Sequence, residues 1–163
     1  MDAIALLCDH AQVTGDGKLF ISGANVCRVV TLALDPPMPV NFCLAIIVKI
    51  PWQQTNQRHK LTVELMYEDG QHGAERVTLA QPMPGQPSED EGLVVAEFNA
   101  GRGPDMQNGE ETLLPMALPF AGFAMPGLGS YFYNIKVDGT EVNRVPFRVI
   151  STNPFGASYP RSA

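Results

Sequence analysis

The sequence predicts an all-β fold, a two-sheet antiparallel β-sandwich of the immunoglobulin-like, Greek-key type with about 8–9 strands. Three observations predict it. Apolar residues alternate with polar ones at period two in several short runs, the pattern of strands with one dry and one wet face. Gly (15) and Pro (14) are frequent among the 163 residues and gather between those runs, where tight turns need them. No stretch sustains the apolar spacing of an amphipathic helix.

The elements follow in chain order. Residues 3–13 (AIALLCDHAQV) and 18–32 (KLFISGANVCRVVTL) read as strands flanking the turn cluster Thr14-Gly15-Asp16-Gly17. After Asp35-Pro36-Pro37, residues 40–50 (VNFCLAIIVKI) are almost continuously apolar and β-branched, as in a central strand covered on both faces. From Lys60 to Asp69, Leu61, Val63, Leu65 and Tyr67 alternate with Thr62, Glu64, Met66 and Glu68, which gives one inward and one outward face. Asp69-Gly70 supplies a turn into a shorter strand at 74–80. Residues 81–91 (QPMPGQPSEDE) read as a mobile acidic loop, and 92–99 as the next strand.

Residues 112–123 are apolar, but Pro115 and Pro119 each remove a ladder donor and place the segment at an edge or bulge. Tyr131, Tyr133, Ile135 and Val137 alternate before Asp138-Gly139, a two-residue type I′ turn signal, and Val145, Phe147 and Val149 alternate on the return. Pro146 suggests an edge position for that return strand. The run Pro126-Gly127-Leu128-Gly129-Ser130-Tyr131 predicts a tyrosine corner, with the Tyr131 phenol bonded to the backbone upstream.

The totals bound the rest. A chain of this length makes one domain, here 1–150, with 151–163 (STNPFGASYPRSA) as a flexible tail. A net charge of −6, with its 11 basic residues scattered, argues against nucleic acid as a partner. No window approaches the ~18 apolar residues of a membrane span. Three cysteines, Cys8, Cys27 and Cys43, cannot close a disulfide framework, and MDAIALLCDH lacks the basic region of a signal peptide. The expected location is the cytoplasm.

Three stretches, ALLCDHAQVTGDGKLFISG (5–23), PWQQTNQRHKLTVEL (51–65) and GSYFYNIKVDGTEVNRVPFRV (129–149), resemble an uncharacterised family of small bacterial proteins carried as a domain of unknown function. The resemblance spans most of the chain. It implies a small cytosolic β protein and transfers no activity, cofactor or site.

The most unusual segment is the loop Trp52–His59. As a recognition loop it would use Trp52 as anchor and Thr55, Asn56, Arg58 and His59 as polar contacts. As a structural loop, Trp52 would cap the core while Thr55 and Asn56 satisfy a tight turn. The residue types favour the structural role and leave the other open. Cys8-Asp9-His10 is the one adjacent trio with metal or nucleophile chemistry. In a strand Cys8 and His10 share a face with Asp9 opposite, and the further ligands, His59 and His72, lie far off in sequence. Gly15-Asp16-Gly17 and Gly101-Arg102-Gly103 lack the lysine and helix of a phosphate loop, and Glu89, Asp90 and Glu91 read as a solvated charge run.

Neither a catalytic set nor a metal or cofactor motif is expected. The expected function is that of a non-catalytic interaction or assembly module with a protein partner or a second copy, in which case it forms a homo-oligomer. Its edge strands and the apolar stretch 113–127 would supply the surface. The alternative is a small-molecule or peptide binder using the Trp52–His59 loop.

Overall fold

A computed structural model describes residues 1–68, 75–77 and 93–152. Nine strands follow one another: β1 Asp2–Val13, β2 Leu19–Ala24, β3 Arg28–Thr31, β4 Met38–Ile50, β5 Arg58–Tyr67, β6 Val94–Asn99, β7 Thr112–Met125, β8 Gly129–Val137 and β9 Thr140–Ser151. They form a four-stranded sheet in the order β2-β1-β4-β7 and a five-stranded sheet in the order β3-β9-β8-β5-β6. The neighbours β1-β4-β7 and β5-β8-β9 reproduce the A-B-E and C-F-G adjacencies of the immunoglobulin sandwich.

The core lies between the sheets. Phe42, Leu44, Ile46 and Val48 of β4 meet Leu61, Val63 and Leu65 of β5, and Tyr133 and Ile135 of β8. Phe42 ties the layers together, with ring centroids 5.1 Å from Phe120 in its own sheet, and 6.0 and 5.8 Å from Tyr133 and Phe147 opposite. Such aromatic pairs add about 0.5–1.5 kcal/mol each beyond the area they bury.

The turn chemistry is as the residue types predict. Asp138 and Gly139 have φ of 51° and 79°, the two positive values of a type I′ hairpin turn. In the first hairpin the Gly17 N–H reaches the Thr14 carbonyl at 2.9 Å. At the start of β8 the Tyr131 hydroxyl donates to the Gly127 carbonyl at 3.0 Å, which makes the tyrosine corner.

The prolines are placed by parity. The Ala3 and Leu7 carbonyls accept from Asn143 and Val26, so the odd residues of β1 turn away from β4. Antiparallel pairing then alternates strand by strand until Leu113, Pro115, Ala117 and Pro119 direct their backbone to the free edge of β7. Both prolines therefore sit where no donor is needed. Pro146 does the same on β9, one step before the Arg148 N–H bonds to the Cys27 carbonyl at 3.0 Å. β9 is thus an edge at Pro146 and an internal strand from Arg148 onward, where β3 joins it.

Three features differ from the sequence reading. The segment 18–32 divides into β2 and β3, which belong to different sheets, because Gly23 and Asn25 take positive φ (65° and 69°) and redirect the chain. A Cβ at Gly23 would stand 2.0 Å from the Asp9 carboxylate, so only glycine fits there. β3 pairs parallel to β9, the one parallel ladder among the described strands. Alternation also breaks near Asp9: Cys8 shares its cluster with Ala11, while His10 is exposed.

β4 is covered on both sides, as its composition predicts. Its second face packs Cys43 and Ala45 with Cys8 and Ala11, and with Leu6, Leu19 and Ala117 around them. Leu19 belongs to β2, so the β1–β2 hairpin bends over the outside of its own sheet. Of the expected strand at 74–80, residues 75–77 run beside β5 through a Met66–Arg76 bridge. The turn at Asp69-Gly70, the loop at 81–91 and the tail from 153 to 163 lie outside the described residues.

Candidate functional site

Two regions combine unusual residues with accessible position. The first is the loop before β5. Trp52–Gln54 form one 3-10 turn, closed by the Gln54 N–H on the Pro51 carbonyl at 2.8 Å. The buried Thr55 hydroxyl donates to the Trp52 carbonyl at 2.7 Å. Asn56 takes the left-handed conformation (φ 59°) that its short amide tolerates, and its N–H bonds to the Ala100 carbonyl at 2.8 Å.

Arg102 closes this loop from the far side. Its guanidinium lies 4.0 Å over the Trp52 ring, with Nε donating to Thr55 Oγ1 at 2.6 Å and Nη2 to the Trp52 carbonyl at 3.0 Å. An exposed cation–π contact of this kind contributes about 0.5–1 kcal/mol. Trp52 is therefore half-buried beneath an arginine at the sandwich end, rather than capping the core.

His59 is buried and bridges two elements. Nδ1 lies 2.7 Å from Asp138 Oδ2 and Nε2 lies 2.7 Å from the Gln54 carbonyl, so both ring nitrogens are engaged within the chain. Asp138 also accepts the Lys60 N–H at 2.9 Å. Burial alone would push the Asp138 carboxyl up, but the Lys60 N–H and the His59 ring outweigh it and hold the group below its usual 3.8. Trp52, Thr55 and His59 thus join one clamp. Arg58 stands apart, exposed on the first residue of β5, and Asn56 serves the turn. Arg102 and Asp138 are the members that the sequence did not single out.

The Cys8 region offers no such convergence. Cys8 lies beside Cys43 in the β1–β4 register, and its Sγ donates to the Cys43 carbonyl at 3.4 Å. Burial first, and then the neighbouring Cys43, push the Cys8 thiol up to about 11, so it stays protonated and unreactive at neutral pH. Among the described residues no three His, Cys, Asp or Glu side chains group as metal ligands. Nor is any described helix long and apolar enough to cross a membrane. A cleft of about 190 Å³ beside the tyrosine corner, between Tyr67, Leu128 and Tyr131, falls below the ~300 Å³ at which small-molecule sites begin.

The second region is the edge of the five-stranded sheet. From Arg28 to Leu34 the chain alternates strictly. Val29 and Thr31 are buried against the core, while Val30, Leu32 and Leu34 are 49%, 74% and 70% exposed. The Cys27 and Thr31 carbonyls accept the Arg148 and Thr152 N–H groups at 3.0 and 3.4 Å. Odd residues thus face β9, and Arg28, Val30 and Leu32 turn their N–H and C=O groups outward. Among the described residues nothing covers this apolar ridge or pairs with the outer backbone edge of β3; Arg28 and Arg148 stand at one end and Asp35 at the other.

No curated protein and no solved structure matches this chain. One family does match, over residues 3–150 and so over nearly the whole chain. The chain belongs to DUF6941, a family of unknown function.

Proposed function

We propose that this protein is a non-catalytic interaction module of the cytoplasm that docks a protein partner on the β3 edge. One observation carries the reading: Val30 on the edge of β3, with Leu32 and Leu34 just beyond the strand, forms an exposed apolar row, and the outward N–H and C=O groups of Arg28 and Val30 have no partner among the described residues. Such edges add strands readily, and proteins that do not use them protect them. β7 and the first half of β9 carry proline at edge-facing positions, whereas residues 28–34 have none. Much of the 113–127 stretch is turned elsewhere, since Leu114, Met116 and Leu118 pack on the core. The exposed, unpaired thiol of Cys27 suits a reducing compartment.

The Trp52–His59 loop suits a clamp better than a pocket, because its carbonyls, hydroxyl and imidazole are engaged within the chain. Trp52→Ala separates the two roles. A clamp predicts a lower melting temperature, and a pocket predicts an unchanged one.

The docking role is tested by placing a photo-crosslinking residue at Leu34 in the native cell. Protein adducts at Leu34 well above those at the exposed hairpin residue Glu141 are the expected result. Equal, background-level labelling at both positions overturns the reading.

A further inference from the structure

We infer that the partner of the β3 edge is a second copy of this chain, paired antiparallel about a two-fold axis through Thr31. This rests on the docking role of that edge and adds the identity of its occupant.

Backbone parity permits this pairing. Arg28, Val30 and Leu32 present their donors and acceptors outward, because the Cys27 and Thr31 carbonyls are engaged by β9. A two-fold through Thr31 sets Val30 of one copy opposite Leu32 of the other. Both residues face outward, so each such pair exchanges two N–H···O=C bonds. Even residues also share one side-chain face, as their exposure shows, so the two apolar ridges join into one strip instead of falling on opposite sides of the merged sheet.

The charges select the direction. The ridge begins at Arg28, whose register partner on β9 is Arg148, and it ends at Asp35. All three are exposed. β3 ends at Thr31, and Leu34 and Asp35 lie in the bend that follows; antiparallel self-pairing brings Arg28 of each copy to this bend of the other, so both ends of the interface match. Parallel pairing would set arginine on arginine and aspartate on aspartate. A surface whose poles match only when it is rotated onto itself is what an isologous dimer requires.

The other three edges are less suited. β7 presents Pro115 and Pro119 outward, β2 is bent by the positive φ of Gly23, and β6 exposes no large apolar side chain. The β3 contact is narrow, one strand pair and its ridge, so the dimer is expected to dissociate on dilution.

Sedimentation velocity of the full chain, from micromolar to sub-millimolar concentration, tests this. The wild type should shift from monomer to dimer across that range. Val30→Pro copies the protection seen on β7 and should leave a monomer throughout. If that variant does not fold, as judged by circular dichroism, two charge variants keep the test decisive. Asp35→Arg and Arg28→Asp each oppose like charges across the two-fold and should weaken self-association about tenfold or more. Mixed in equal amounts, the two variants should dimerise again, since each supplies the charge that the other lacks.

Failure of the mixture to restore dimers that both single variants had lost overturns the antiparallel pairing. So does a wild-type dimer that Val30→Pro and the charge variants leave intact. A strictly monomeric wild type whose Leu34 position still crosslinks to a different protein in cells overturns self-pairing alone and leaves the docking role standing.

Discussion

On its outer side the four-stranded sheet presents Cys8, Cys43, Ala45 and Ala117, all small and apolar, while the five-stranded sheet presents Glu64, Asn134, Lys136 and Arg144. The first face is closed by its own β1–β2 hairpin, which lays Leu19 and Ala11 over β4. Small side chains are needed there because a folded-back hairpin leaves little depth. The second face is closed by charge. Glu64 is buried between Lys136 Nζ at 2.7 Å and the Arg76 guanidinium, and Arg144 lies 3.5 Å over the Phe132 ring. Burial is thus reached on one side by shape and on the other by neutralised polarity. The two sides should respond to the same substitution in opposite ways.

An acid placed on each face gives the largest contrast. Ala45→Glu puts an unpaired carboxylate into the closed furrow and should cost more than about 3 kcal/mol or prevent folding. Thr62→Glu, on the outer side of β5, should stay within about 0.5 kcal/mol. Urea denaturation of both variants measures this, and equal losses would remove the distinction between the faces.

Next in size is the buried carboxylate itself. Burial alone would push the Glu64 carboxyl up, but Lys136 and Arg76 more than offset it and hold the group below its usual 4.5. A lowered native pKa stabilises the fold fully above the unfolded value near 4.5, and the benefit is lost as pH falls through the lower native value. Glu64→Gln should therefore cost about 1.5–3 kcal/mol near neutral pH. It should also flatten the acid limb of a stability–pH curve, leaving part of the slope to Asp138 and to the exposed Asp2 and Asp16, which are shifted in the same direction.

Beneath both faces, two tyrosines of β8 sharpen the point on a smaller scale. Tyr131→Phe removes the bond to the Gly127 carbonyl and should cost about 1 kcal/mol. Tyr133 is fully buried, its hydroxyl has no partner among the described residues, and burial holds its pKa well above 10.0. Tyr133→Phe deletes a desolvated group, so its melting temperature should match or exceed that of the wild type.

What the sequence made legible was local. Asp138-Gly139, Tyr131, Pro115 and the alternation of Leu61 to Tyr67 each report their conformation through their own stereochemistry or through period two. What it hid depends on distant partners. Arg102 reaches Trp52 and Asp138 reaches His59 only once separate strands align, and no local pattern announces either contact. Asp138 was legible as a turn residue and hidden as a ligand of His59. The crossover inside 18–32 was missed because the apolar run masks the effect of Gly23 and Asn25. The ridge at Val30, Leu32 and Leu34 was equally hidden: alternation shows that one face is dry, and the sheet decides whether the other face is covered.

The parallel ladder between β3 and β9 has a consequence for how the protein is made. A ribosome releases the third strand long before the ninth, so in the nascent chain β3 lacks its one neighbour, β9, and both of its edges stand open while the intervening strands emerge. Synthesis on clustered ribosomes would set such unpaired strands from adjacent chains side by side. The ladder that completes the sheet is therefore the one that must wait longest during translation, since its partners lie farthest apart in the chain.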